Sequence, residues 1–122
     1  MKMPRAGPEA VARFQKLLPT GSGITVRTMF GQPAAFVTGN MFLGVFGDAV
    51  FLRLSEEDRA AGLLLEGSHL FEPMAGRPMR EYVVLPTTVL ADAARARPWV
   101  DRALRYARGL GPKRSRPPAR RK

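Results

Sequence analysis

The sequence predicts an α+β domain: an antiparallel β-meander sheet with N-terminal, middle and C-terminal helices packed on it. Between Arg27 and Asp48 no side chain is ionised, yet Gly31, Pro33, Gly39, Asn40, Gly44 and Gly47 punctuate the run. A membrane helix of that length is more uniformly apolar and carries fewer turn-formers. The dipeptides Gly39-Asn40 and Gly47-Asp48 sit between β-forming stretches, where tight hairpin turns need them. Helical periodicity flanks the block on both sides, and helices segregated from an antiparallel meander define the class.

Residues 1–8, with Pro4, Gly7 and Pro8, read as a flexible leader to a domain spanning 9–111. Pro8 and Glu9 suit a first helical turn, because proline lacks an amide that would go unpaired there and a carboxylate meets the positive dipole end. Val11, Phe14, Leu17 and Leu18 recur at helical spacing, and residues 19–23 (Pro-Thr-Gly-Ser-Gly) end that helix. The meander follows as four strands, at Ile24–Phe30, Ala34–Thr38, Met41–Phe46 and Ala49–Leu54. The third is apolar on both faces and belongs at the centre of the sheet or under a partner. Gly44 within it marks a bulge or a close approach of another backbone. Ser55 then caps a middle helix whose first turn holds Glu56, Glu57 and Asp58, with Gly67 as its stop. Residues 66–79, containing Gly67, Pro73, Gly76 and Pro78, read as an ordered loop around Phe71 and Met74. Arg80–Leu85 alternates as a closing strand until Pro86. The last helix runs from about Asp92 to Leu110. Trp99, Val100, Ala103, Leu104, Tyr106, Ala107 and Leu110 lie on one side, and Arg95, Arg97, Asp101, Arg102, Arg105 and Arg108 on the other. Pro98 must kink, interrupt or restart it.

Composition limits the function classes. The 122 residues are 45% hydrophobic with seven Phe and one Trp, enough for a core of their own. There is no cysteine, which excludes disulfides, zinc–thiolate sites and thiol catalysis. Met1-Lys2-Met3-Pro4-Arg5 is not followed by an apolar signal core, and no stretch is a clean membrane span, so a soluble, cytoplasmic protein without membrane contact is expected. The net charge of +10 is uneven. Seven of the twenty basic residues fall within 108–122, where there is no acid, and the other thirteen face ten acids. Residues 112–122 therefore form a basic, Pro-rich tail, expected to be disordered.

No nucleophile–base pair, metal cluster or phosphate-binding loop stands out, so no catalytic residue, metal or cofactor is assigned. His69 lacks ligand partners and reads as an exposed loop histidine. The Met and Phe residues fit core positions better than a ligand pocket. Arg77, Arg80 and Glu81 could bind an anion but fit a solvated salt-bridge edge better. Phe42, Phe46 and Phe51, taken as an exposed face of the meander, form a candidate protein interface and a candidate homodimer contact. Arg102, Arg105, Arg108, Lys113, Arg114, Arg116, Arg120, Arg121 and Lys122 are candidate phosphate contacts. A solvated helix face with a solubilising tail is the alternative. With no aromatic residue in the tail, any such contact would be weakly sequence-specific.

Arg27-Thr28-Met29-Phe30-Gly31, Met41-Phe42 after the Gly-Asn turn and Val50-Phe51-Leu52-Arg53-Leu54 recur in a known order. Arg80-Glu81-Tyr82-Val83-Val84-Leu85-Pro86 and the late Trp99, Ala103, Tyr106 and Ala107 complete the pattern. Over residues 10–112 the chain resembles the N-terminal domain of the TfoX/Sxy family. The resemblance implies a fold like that of type III secretion chaperones. It also implies a role in regulating competence genes, where full-length members act as transcription coactivators beside a DNA-bound activator. The expected partner is then the transcription machinery or such an activator, and the family supplies no catalytic residues. Full-length members continue into a second, helical domain, whereas this sequence ends after its basic tail and reads as a single-domain member.

Overall fold

The computed structural model describes residues 7–29, 31–74 and 76–111. In chain order these form α1 (Pro8–Leu17), β1 (Ile24–Met29), β2 (Gln32–Val37), β3 (Asn40–Phe46), β4 (Ala49–Arg53) and α2 (Glu56–Gly62). They continue as β5 (His69–Met74), β6 (Arg77–Val84), α3 (Thr87–Leu90) and α4 (Ala93–Gly109). All strand pairs are antiparallel and the sheet order is β1-β2-β3-β4-β6-β5. The α+β class is thus observed, with β3 inside the sheet and buried from Asn40 to Val45.

The hairpin turns follow from glycine's access to positive φ. Gly47 (φ 64°) opens the two-residue β3–β4 loop. The β2–β3 loop is Thr38-Gly39, with φ of 48° and 88°, one residue earlier than the Gly39-Asn40 turn expected. Asn40 belongs to β3 instead. Its side-chain amide donates to the carbonyls of Ala107 (3.4 Å) and Gly111 (2.7 Å), which ties the start of β3 to the C-terminal end of α4.

One face of the sheet carries the helices. Ala10, Phe14 and Leu17 of α1 and Ala96, Val100, Ala103 and Ala107 of α4 share a core with Leu43, Val45, Val50, Leu52 and Val83. The register shifts between Ala35 and Phe36, where Phe42 is the extra residue on β3. This bulge lets neighbouring Phe42 and Leu43 both join the helix-side core, which strict alternation forbids.

Three expectations need correction. The segment read as a loop over 66–79 holds a hairpin, with β5 forming the outer strand beyond β6. Its Pro73 is tolerated because an edge strand need not donate every amide. Second, α2 ends at Gly62, not Gly67. Gly62 is packed so that a Cβ would lie 3.4 Å from both Leu54 and Trp99, and the Ser68 hydroxyl lies 2.8 Å from its carbonyl. Third, the short α3 precedes α4 and was not foreseen. Within α4 the chain remains helical through Pro98, after a start capped by Asp92, whose carboxylate accepts from the Ala94 amide at 3.0 Å. Phe30, the leader residues 1–6 and the tail 112–122 lie outside the described residues.

Candidate functional site

The face of the sheet away from the helices is filled by strand residues alone: Ala34, Phe36, Met41, Phe51, Phe71, Tyr82 and Val84. Phe51 stacks on Phe71 (ring centroids 4.1 Å apart), Phe46 meets Phe71 edge-on (5.3 Å), and Tyr82 meets Phe51 edge-on (5.6 Å). Gly44, directly across from Phe51, makes room for its ring. A Cβ there would lie 2.4 Å from Phe51 Cζ.

This packing corrects the exposure expected of Phe42, Phe46 and Phe51. Phe42 is fully buried on the helix side, Phe51 is 1% exposed on the opposite side, and only Phe46 keeps partial access to solvent. The three do not form one patch. Phe51→Asp would place a carboxylate inside the monomer, so it probes folding rather than association.

Where β4 ends against β6 and beside α4, Arg53, Glu81, Tyr82 and Tyr106 converge. Arg53 pairs with Glu81 (2.6 Å), the one ion pair among the described residues. Its guanidinium lies 5.7 and 5.8 Å from the rings of Tyr82 and Tyr106. Tyr106 Oη donates to Glu81 at 3.4 Å, and the buried Tyr82 hydroxyl donates to the Met41 carbonyl at 3.3 Å. Burial raises the Tyr82 pKa above the ordinary 10.0, with Arg53 opposing it. The salt-bridge reading of this edge therefore holds for Glu81, with Arg53 as its partner. Arg80 offers its backbone carbonyl to Arg59 (2.9 Å). The side chains of Arg77 and Met74 lie outside the described set.

The arginine face of α4 is present as predicted. Arg95, Arg97, Arg105 and Arg108 are exposed, and Arg102 is half-buried with its guanidinium 4.6 Å from the Trp99 ring. None of the five makes an ion pair with a described residue. Asp101 lies within the same arc. Lys113, Arg114, Arg116, Arg120, Arg121 and Lys122 fall outside the described residues, so the structure does not connect them with this face.

A cleft of about 880 Å³ opens between the β3–β4 turn, the α2–β5 connection and α3. Its walls include Phe46, Leu65 and Val89, with Asp48, Glu66, His69 and Arg95 at the polar positions. His69 is exposed as expected, but on strand β5 rather than in a loop. No group of three metal-ligating side chains occurs among the described residues. No helix among them is long and apolar enough to cross a membrane. Sequence reasoning missed the Arg53–Tyr106 contact, because it joins residues 53 positions apart across the end of the sheet. It also missed the exposure of β1, which is set by what fails to cover it.

No curated protein matches the chain. The model of the TfoX N-terminal domain matches residues 13–107. That span runs from within α1 to the last buried residue of α4 and includes every strand and both sheet faces, so the match covers the whole packed unit, and the chain belongs to the TfoX N-terminal domain family.

Proposed function

We propose that this protein is a non-enzymatic regulatory module of the cytoplasm that binds another protein and influences transcription, in the manner of a coactivator related to competence regulators. Family membership over residues 13–107 is the observation that carries this reading. The surfaces offered to a partner are the α4 arginines and the partly open Phe46 at the cleft, since Phe42 and Phe51 are committed to the core. The partner is the transcription machinery or a DNA-bound activator. Deleting the gene in its own host should change a defined set of transcripts. Wild-type protein should restore them, and a folded Arg105→Glu/Arg108→Glu variant should not. An unchanged transcript profile in the deletion strain contradicts the reading.

One observation favours a second reading. Four exposed arginines that make no ion pair with a described residue lie along one face of α4, an arrangement suited to phosphate contact. With four to six phosphates neutralised, log K against log salt should fall with a slope of roughly −4 to −5. The same double variant should flatten that slope. A slope near zero would exclude the reading.

A further inference from the structure

The two edges of the sheet differ in kind. At one edge β5 contains Pro73 and Glu72, and its pairing with β6 slips twice, between Leu70 and Phe71 and between Phe71 and Met74. Proline and irregular register are devices that keep an edge from pairing with another chain, and β1 has neither, its one charged residue being Arg27. At the other edge β1, Ile-Thr-Val-Arg-Thr-Met, pairs with β2 in unbroken register over all six residues and contains no proline. Thr25, Val26, Arg27 and Thr28 are exposed, so neither face of this strand is covered at its centre, and Val26 is 49% exposed.

The register identifies which backbone groups of β1 are free. The Thr38 amide donates to the Gly23 carbonyl, so that pair is of the hydrogen-bonded type. Antiparallel pairs alternate between bonded and non-bonded. Residues 25, 27 and 29 therefore turn their polar groups toward β2, while Thr28 opposite Pro33 does not, in keeping with a proline that has no amide to give. Ile24, Val26 and Thr28 direct three N–H and three C=O groups away from the sheet.

We infer that β1 is a self-pairing edge, through which two copies of this chain join about a two-fold axis at Val26 into a continuous antiparallel sheet. Placing Val26 opposite its counterpart sets Ile24 opposite Thr28 of the other copy and uses all six outward polar groups of each strand. Val26 then covers Val26, and Arg27 faces Thr25. A two-fold shifted to Arg27 would place like charges directly opposite and engage fewer backbone groups. One open edge and one obstructed edge per chain make the assembly close at two copies instead of growing into a fibre. That asymmetry favours a second copy over an unrelated strand. This inference is independent of the proposed regulatory role, which its failure would leave standing.

Sedimentation equilibrium from about 1 to about 500 µM is the test, a range suited to a small interface held mainly by backbone bonds. The mass should rise toward that of a dimer and stop there. Added salt should strengthen the association by screening two chains of net charge +10. Amide exchange should slow with concentration at Ile24, Val26 and Thr28, while Thr25 and Arg27, already bonded to β2, change little. Val26→Lys, at an exposed site, should stay folded and be monomeric; Val26→Thr should still dimerise. A monomer at every concentration overturns the proposal and leaves the edge to a strand from another protein. So does a dimer that survives Val26→Lys, or one that leaves those three amides unprotected.

Discussion

Gly44 shows how one missing atom organises a sheet face. Phe51 lies over it and stacks on Phe71, so the ring has no empty space into which to withdraw. Gly44→Ala should cost about 1–3 kcal/mol by overpacking, despite alanine's better fit to a strand, as read from denaturant unfolding. The sequence offered Gly44 as a bulge or a close approach. The close approach is what the structure contains, and the bulge lies two residues earlier at Phe42. No local signal separates the two, because the ring that needs the space belongs to the next strand. Tyr82 adds a pH dependence. Its folded pKa is raised by burial, so its stabilisation is fully present below pH 10.0 and is lost as pH rises through the folded value. Melting temperature should fall more steeply above pH 10 in the wild type than in Tyr82→Phe; equal slopes would remove Tyr82 as the cause.

At the scale of elements, legibility follows local chemistry. The hairpins of β2–β3–β4 were readable because each turn is written in adjacent residues, and the starts of α2 and α4 because Ser55 and Asp92 cap within three positions. The strand β5 was hidden, since Gly67, Pro73, Gly76 and Pro78 punctuate it as they would a loop. Only pairing with β6, which an edge strand can make despite a proline, turns it into structure. The β2–β3 turn retains a cost. Thr38, a β-branched residue, holds φ 48°, a left-handed conformation that costs non-glycine residues about 1–2 kcal/mol. Thr38→Asn restores an Asn-Gly pair suited to that turn and should raise Tm by about 2–6 °C. A lower Tm would mean that the hydrogen bond from the Thr38 hydroxyl to the Val37 carbonyl (2.7 Å) outweighs the strain.

Across the whole molecule, the helix-side core and the aromatic face absorb nearly every large apolar side chain that sequence alone offered to a partner. Among the described residues, the surfaces open to recognition include the backbone at β1, the charge along α4, the exposed Leu63 and Leu64 after α2, and the cleft beside Phe46. Charge was legible because arginines at helical spacing need no tertiary context. The fate of Phe42 and Phe51 was not, because burial depends on a bulge and on a ring from β5. The first reading makes the packed domain a protein-binding module, whereas the second gives the α4 arginines a part in holding nucleic acid. The most direct test compares duplex DNA binding by the full chain and by a truncation after Gly111, which keeps the acceptor for Asn40, across a salt series. Under the first reading the truncated domain does not bind at physiological salt, whatever the full chain does. Binding by the truncated domain with a salt slope of roughly −4 to −5 would contradict it and make the α4 arginine face a nucleic-acid surface.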